Sequence, residues 1–147
     1  MDIERLKKQV IANEGVRKTA YKDTLNNWTI GVGHLIKLPD EEYLIDAKLN
    51  DLEVDQIFIT DLNQAIDDAR KFIDADSIPD EAFEVVVDMA FNLGLPKLLK
   101  FKNFQQALRE KDFVTCADEL LDSKLGRSPI KGIVKRITEL SNRMRDA

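Results

Sequence analysis

Glu14-Gly15-Val16-Arg17-Lys18-Thr19-Ala20-Tyr21-Lys22-Asp23, followed after residues 24–27 by Trp28-Thr29-Ile30-Gly31-Val32-Gly33-His34-Leu35, is where this sequence changes character. Tyr21, Trp28, Thr29, Ile30, Val32 and Ile36 are strand formers, interrupted by Asn26-Asn27 and by Gly31 and Gly33, and this predicts a small antiparallel sheet with a turn at 24–27. On both sides the apolar period is helical. Upstream, Asp2 caps a helix carrying Ile3, Leu6, Val10 and Ile11, which Gly15 stops, so that Glu14 sits at its C-terminal end. Downstream the spacing predicts a short helix near 40–48 and a long one near 53–73 with Ile57, Leu62, Ala65, Ile66, Ala69 and Phe72 or Ile73 on one side. Ser77-Ile78-Pro79 opens a core helix with Ala82, Val85, Val86, Met89, Ala90 and Leu93, ended by Gly94, and three shorter helices follow near 102–110, 112–122 and 130–143. One sheet segment among helices is an α+β pattern.

Composition excludes several functions. The 147 residues are 33% charged and 44% apolar, the profile of a globular protein that buries most of its apolar surface without covalent staples. One cysteine, Cys116, makes no internal disulfide, and with the single His34 it leaves too few soft ligands for a structural zinc site, so no metal or other cofactor is expected. Cys116, beside Phe113 and Leu120, reads as a small buried apolar residue. Apolar runs such as Val85-Val86-Val87 are too short to span a bilayer, and Met1-Asp2-Ile3-Glu4-Arg5 is not the start of a secretory signal, so synthesis in the cytoplasm without membrane insertion is expected. Residues 40–88 hold sixteen Asp/Glu against three Lys/Arg, whereas 124–147 hold seven Lys/Arg against two Asp/Glu, inside a net charge of −5. An acidic total argues against nucleic acid as a partner, while the basic end leaves room for a smaller anionic ligand.

The sheet segment also carries the chemistry. Cleaving a glycosidic bond takes one protonated carboxyl for the leaving oxygen and one ionised carboxylate for the water or the developing charge. Glu14, at the negative end of a helix dipole and beside an apolar surface, is suited to be the acid. Asp23, in a hairpin nearer water, stays ionised and is suited to be the base, with Thr29 holding a water beside it. Gly31 and Gly33 let the backbone bend or a ligand approach closely, Gly31 being a candidate substrate contact. His34 reads as a hydrogen-bonding brace under the site, since acid and base are already assigned.

This stretch closely resembles the bacteriophage-type lysozymes, glycoside hydrolase family 24, with the signature E-G-x-R-x-x-x-Y-x-D, a short turn, then T-I-G-x-G-H; every fixed position is present. The resemblance continues through Phe91-Asn92-Leu93-Gly94 and through Gly132-Ile133-Val134-Lys135-Arg136-Ile137-Thr138-Glu139, similar to G-L-V-x-R-R-x-x-E. It implies Glu14 as general acid, Asp23 as the residue that positions or activates water, and Thr29 as a second holder of that water. It further implies Phe91 and Asn92 as cleft residues, the amide suited to an acetamido group, and a basic residue among Lys131, Lys135 and Arg136 near the cleft. Two departures stand out: Leu125 where many relatives have Trp, and an acidic chain where many are cationic.

The expected fold is therefore α+β and lysozyme-like: one domain over 1–147, with a small N-terminal lobe at about 15–52 bearing a three-stranded antiparallel sheet, a connecting helix at about 53–73, and a helical lobe at about 74–147 joined by helix 2–14. Substrate is expected in the cleft between the lobes. The expected function is hydrolysis of the β-1,4 bond between N-acetylmuramic acid and N-acetylglucosamine in peptidoglycan, with inversion, by a monomeric endolysin. Such an enzyme acts on the wall after leaving the host cytoplasm through a pore made by another protein. The alternatives are a virion-associated or bacterial autolytic muramidase and a non-catalytic wall-binding module on the same fold. Glu14→Gln keeps the shape of the side chain but has no proton to donate. Wall turbidity should then stay constant with a circular dichroism spectrum like the wild type, and turnover above about 1% of wild type in the folded variant would take Glu14 out of the acid role.

Overall fold

The computed structural model describes residues 1–123 and 131–147, with the backbone alone for 131–134. Among them are seven α-helices and one three-stranded antiparallel sheet, an α+β fold as the sequence suggested. The chain divides into a unit of Glu4–Gln64 and a unit of Met1–Ile3 with Ala65–Ala147. Leu125 lies outside the described residues.

In the first unit, helix α1 (Ile3–Glu14) buries Leu6 and Val10, one turn apart, and ends where Gly15 takes φ +75° and its N–H bonds the carbonyl of Ile11 at 2.8 Å. Strands β1 (Arg17–Lys22), β2 (Trp28–Gly31) and β3 (His34–Leu35) follow in spatial order β1-β2-β3. Tyr21 faces Thr29 and Lys22 faces Trp28, but Arg17 faces Gly31, so β1 bulges between residues 17 and 21. The bulge lets Thr19 bridge to Lys48 and the carbonyl of Lys18 accept from the N–H of Leu49 at 2.8 Å, closing the sheet edge with the segment that leads into α2.

The predicted helix at 40–48 is a 3₁₀ helix, Glu42–Asp46, because its bonds reach three residues: Leu44 N–H to Glu41, Ala47 N–H to Leu44. Helix α2 (Asp51–Phe72) starts two residues before the predicted onset, at a reciprocal cap in which Asn50 Oδ1 accepts from Glu53 N–H at 2.8 Å and Glu53 Oε1 from Asn50 N–H at 3.0 Å. Its buried stripe begins with Val54 and Phe58, four apart in step with Leu62, and Ile57 is only half-buried.

The second unit is built on helix α3 (Asp80–Leu93), buried without a break from Ala82 to Ala90, Glu84 and Asp88 included. Gly94, at φ +78°, stops it and the short α4 (Leu95–Leu98) follows, with Pro96 in its first turn, where a missing N–H costs nothing. Helix α5 (Lys102–Arg109) brings Phe104 onto Phe72 with centroids 6.1 Å apart, while Gln105 donates to the carbonyl of Phe72 at 2.7 Å. Helix α6 (Phe113–Asp122), capped by Asp112, packs on α7 (Lys131–Arg145), where Ser141 donates to the carbonyl of Ala117 at 2.9 Å. Cys116 is fully buried, and burial pushes its thiol up to about 12, so it stays a protonated apolar filler.

One ion pair ties α7 to α3. Arg136 Nε and Nη2 both donate to Asp88 Oδ1, at 3.0 and 2.7 Å, with both residues buried. Removing one partner takes a buried opposite charge away from the other, so Arg136→Met or Asp88→Leu alone should cost about 3–5 kcal/mol in urea unfolding, and the double substitution should recover most of it. Single losses under about 1 kcal/mol would show that the pair does not hold the helices together.

Candidate active site

Glu14 is the last residue of α1 and is half-buried. The β2–β3 hairpin closes on it: Ile30 faces His34, and the three-residue turn Gly31-Val32-Gly33 holds Gly31 at φ +66° and Gly33 at +61°, a left-handed region closed to most side chains. The two glycines serve different ends. A Cβ at Gly31 would meet nothing within 4 Å, so that position needs glycine for its backbone alone. A Cβ at Gly33 would fall on the Glu14 carboxyl, 2.7 Å from Cδ and closer still to Oε2, so the carboxyl rests directly on the bare Cα.

Asp23 is set by the turn that joins β1 to β2. Its N–H donates to the carbonyl of Asn27 at 2.9 Å, its carbonyl accepts from Asn26 at 3.0 Å, and Asn26 takes φ +65°, which Asn tolerates better than most residues. Oδ1 accepts from the N–H groups of Leu25 and Asn27, at 2.9 and 2.8 Å, while among the described residues no hydrogen bond engages Oδ2. Thr29, buried in β2, donates its hydroxyl to the carbonyl of Asn27 at 3.1 Å. The Asn27 peptide thus fixes both residues: its N–H holds Asp23, and its carbonyl holds the Asp23 N–H and the Thr29 hydroxyl. Because the Thr29 proton is committed, its oxygen faces other groups as an acceptor.

Tyr21 stands between the two carboxylates in electrostatic terms. Burial raises its pKa, the charges of Glu14 and Asp23 raise it further, and Arg17 opposes them. The Arg17 guanidinium lies 4.5 Å from the Tyr21 ring centroid, a cation–π contact. Both residues are fixed positions of the signature, and their place in the pattern was the signal that could have assigned them to the site. His34 is buried, with Nδ1 2.7 Å from Asp61 Oδ2 and Nε2 3.0 and 3.2 Å from Glu41 Oε1 and Oε2. It is a brace, but one with two carboxylate partners that spacing did not reveal.

Glu14, Asp23, Thr29 and Gly31 all belong to the unit Glu4–Gln64. The remaining candidates belong to the other: Phe91 is half-buried and Asn92 exposed near the end of α3, Lys135 is exposed on α7, and Arg136 is engaged with Asp88. The side chain of Lys131 lies outside what the structure describes. A surface hollow of about 510 Å³ lined by Arg70, Lys71 and Arg109 contains none of the candidates, and those cations sit at helix C-terminal ends, where they complement the dipoles.

The profile of the family described as Phage lysozyme matches residues 12–139. The chain is also similar to a protein of Dictyostelium discoideum named Probable T4-type lysozyme 2, 27% identical over an alignment of 143 positions, with 82% of this chain and 84% of that protein covered.

The contact between Gly33 and Glu14 can be tested without touching either carboxylate. Gly33→Ala adds one methyl that must displace the Glu14 carboxyl, and positional errors of this size cost up to about a hundredfold in rate. The variant should lose at least about tenfold in kcat, together with about 1–2 kcal/mol of stability from the left-handed backbone. Wild-type kcat in Gly33→Ala would show that the carboxyl is free to sit elsewhere.

Proposed function

Since the chain belongs to the phage lysozyme family, we propose that it hydrolyses the β-1,4 bond between N-acetylmuramic acid and N-acetylglucosamine in peptidoglycan, by direct attack of water with inversion. Glu14 donates its proton to the leaving glycosidic oxygen. The observation that carries the other half is the shared anchoring of Asp23 and Thr29 on the Asn27 peptide. A water that donates one hydrogen to Asp23 Oδ2 and one to Thr29 Oγ1 keeps a lone pair for the anomeric carbon, and Asp23 takes its proton as the bond forms. Inverting hydrolases hold their carboxyls about 6.5–9.5 Å apart to admit such a water. Gly31, Phe91 and Asn92 are proposed as substrate contacts, and one of Lys131, Lys135 and Arg136 as the cation that meets the carboxylates of the stem peptides.

The wider role we propose is that of a monomeric endolysin, made in the host cytoplasm and reaching the wall through a pore formed by another protein. Among the described residues no helix is long and apolar enough to cross a membrane. A similar protein of Dictyostelium discoideum is named Probable T4-type lysozyme 2, so wall hydrolysis and host lysis are separate propositions. Lysis timing in a phage deleted for the gene tests the second.

For the chemistry, Asp23→Asn keeps the two turn hydrogen bonds at Oδ1 but removes the base. On a soluble muropeptide it should lower kcat at least about a hundredfold and move KM by no more than a few-fold. A large rise in KM at near-normal kcat would make Asp23 a binding residue instead.

A further inference from the structure

We infer that Glu41 is a positioning residue for this reaction: with Asp61 it holds His34 as an imidazolium donating from both ring nitrogens, and that clamp fixes the hairpin on which the Glu14 carboxyl rests. The inference rests on the reading of Glu14 as the acid.

Counting protons decides the state of the ring. A neutral imidazole has one N–H, yet here each ring nitrogen meets a carboxylate, Asp61 at 2.7 Å and Glu41 at 3.0 Å, and ionised carboxylates only accept. Both contacts are hydrogen bonds only when His34 carries two protons. The hydrogen bond to Asp61 is the largest cause of a raised His34 pKa, burial opposes it, and Glu41 adds to the rise. For Glu41, burial acts upward but is outweighed by hydrogen bonds from the Lys37 N–H and from His34, so its carboxyl titrates below the ordinary range. Among the described residues the charged groups facing the ring are thus Asp61 from α2 and Glu41 from the segment before the 3₁₀ helix. Lys37 lies behind Glu41, and Glu14 lies across Gly33.

Glu41 ties this segment to the hairpin. Its Oε1 accepts from the Lys37 N–H at 2.9 Å, and its own N–H donates to the Lys37 carbonyl at 2.7 Å, closing residues 37–41 into a loop. Ile36 N–H donates to the carbonyl of Trp28 at 3.0 Å, which carries the loop onto β2. His34 directly follows Gly33, so the ring is the anchor next to the backbone position that the Glu14 carboxyl touches. When the ring loses one proton, one carboxylate faces a lone pair, and the loop and hairpin lose their common anchor. The chain of effect runs from Glu41 through His34 and Gly33 to Glu14.

Linkage gives the sign for stability. A group whose folded pKa is raised stabilises fully below its unfolded value, about 6.5 for His, and that contribution disappears as pH rises through the folded value. Stability supplied by His34 is therefore lost on the alkaline side, and Glu41→Gln should lose it at lower pH than wild type.

The test uses full-length protein labelled with ¹³C in His and Glu, in wild type, Glu41→Gln and Glu41→Ala, with Glu14→Gln alongside. His34 Cε1 should titrate about one pH unit lower in Glu41→Gln than in wild type. The Glu14 Cδ resonance should show a second inflection at the His34 midpoint, which moves with it in Glu41→Gln. Glu41→Ala should lose about tenfold in kcat with KM within about twofold, and Glu41→Gln should recover most of that kcat below its His34 midpoint and lose it above. An unchanged His34 midpoint in Glu41→Gln overturns the clamp even with Glu14→Gln inactive. A shifted midpoint with no inflection at Glu14 and wild-type kcat in both variants makes the clamp structural only. Activity in Glu14→Gln removes the acid itself, an outcome distinct from either.

Discussion

The Glu14 carboxyl occupies the space that any side chain at residue 33 would need, and much of the small unit is arranged around that contact. It requires a bare Cα at the close of a three-residue hairpin, with the backbone at positive φ. It also requires a fixed helix end, because a carboxyl on the last residue of α1 is only as well placed as the turn that follows, and Gly15 supplies that turn. The hairpin in turn is pinned by the residue next to Gly33, whose ring reaches one carboxylate on α2 and another on the 37–41 loop. A general acid needs a defined distance to the leaving oxygen, and a short three-stranded sheet is too small to define it without such side-chain anchors.

The second carboxylate is placed by a different device. Asp23 and Thr29 flank a turn in which the Asn27 carbonyl serves both of them and the Asn27 N–H serves Asp23, so the pair that would hold water is positioned by backbone hydrogen bonds inside seven residues. Local chemistry of this kind does not depend on distant packing, which suits an element at the edge of a small unit. The acidic stretch from residue 40 fits the same picture: two of its carboxylates, Glu41 and Asp61, serve the His34 clamp, Asp51 pairs with Lys18 at 2.8 Å, and Asp88 receives Arg136. What reads as a charge run in the sequence is in part a set of tertiary anchors.

The elements were legible because each announces itself locally. The change from period 3.6 to strand formers and back located the sheet between α1 and α2, Gly15 and Gly94 marked two helix ends, and the continuous apolar stripe of 82–90 marked the core helix. The errors have equally local reasons. The α2 onset is hidden in the Asn50–Glu53 cap, Phe58 takes the buried position four residues before Leu62 while its equally apolar neighbour Ile57 is half-buried, and α4 is too short to carry a period. At the site, Glu14, Asp23 and Thr29 stand out through the signature. The partners of His34 could not, because Asp61 lies 27 residues away and Glu41 is one acid among many until the fold brings it to the ring.

In the proposed reaction, water held by Asp23 and Thr29 attacks the sugar directly, without a covalent sugar–enzyme intermediate. The anomeric configuration of the newly released reducing end, followed by proton NMR within the first minutes of hydrolysis of a β-linked muropeptide, reads this without any mutation. Direct attack gives the α anomer first, relaxing later to the equilibrium mixture. Initial release of the β anomer would mean a covalent intermediate and would contradict the account.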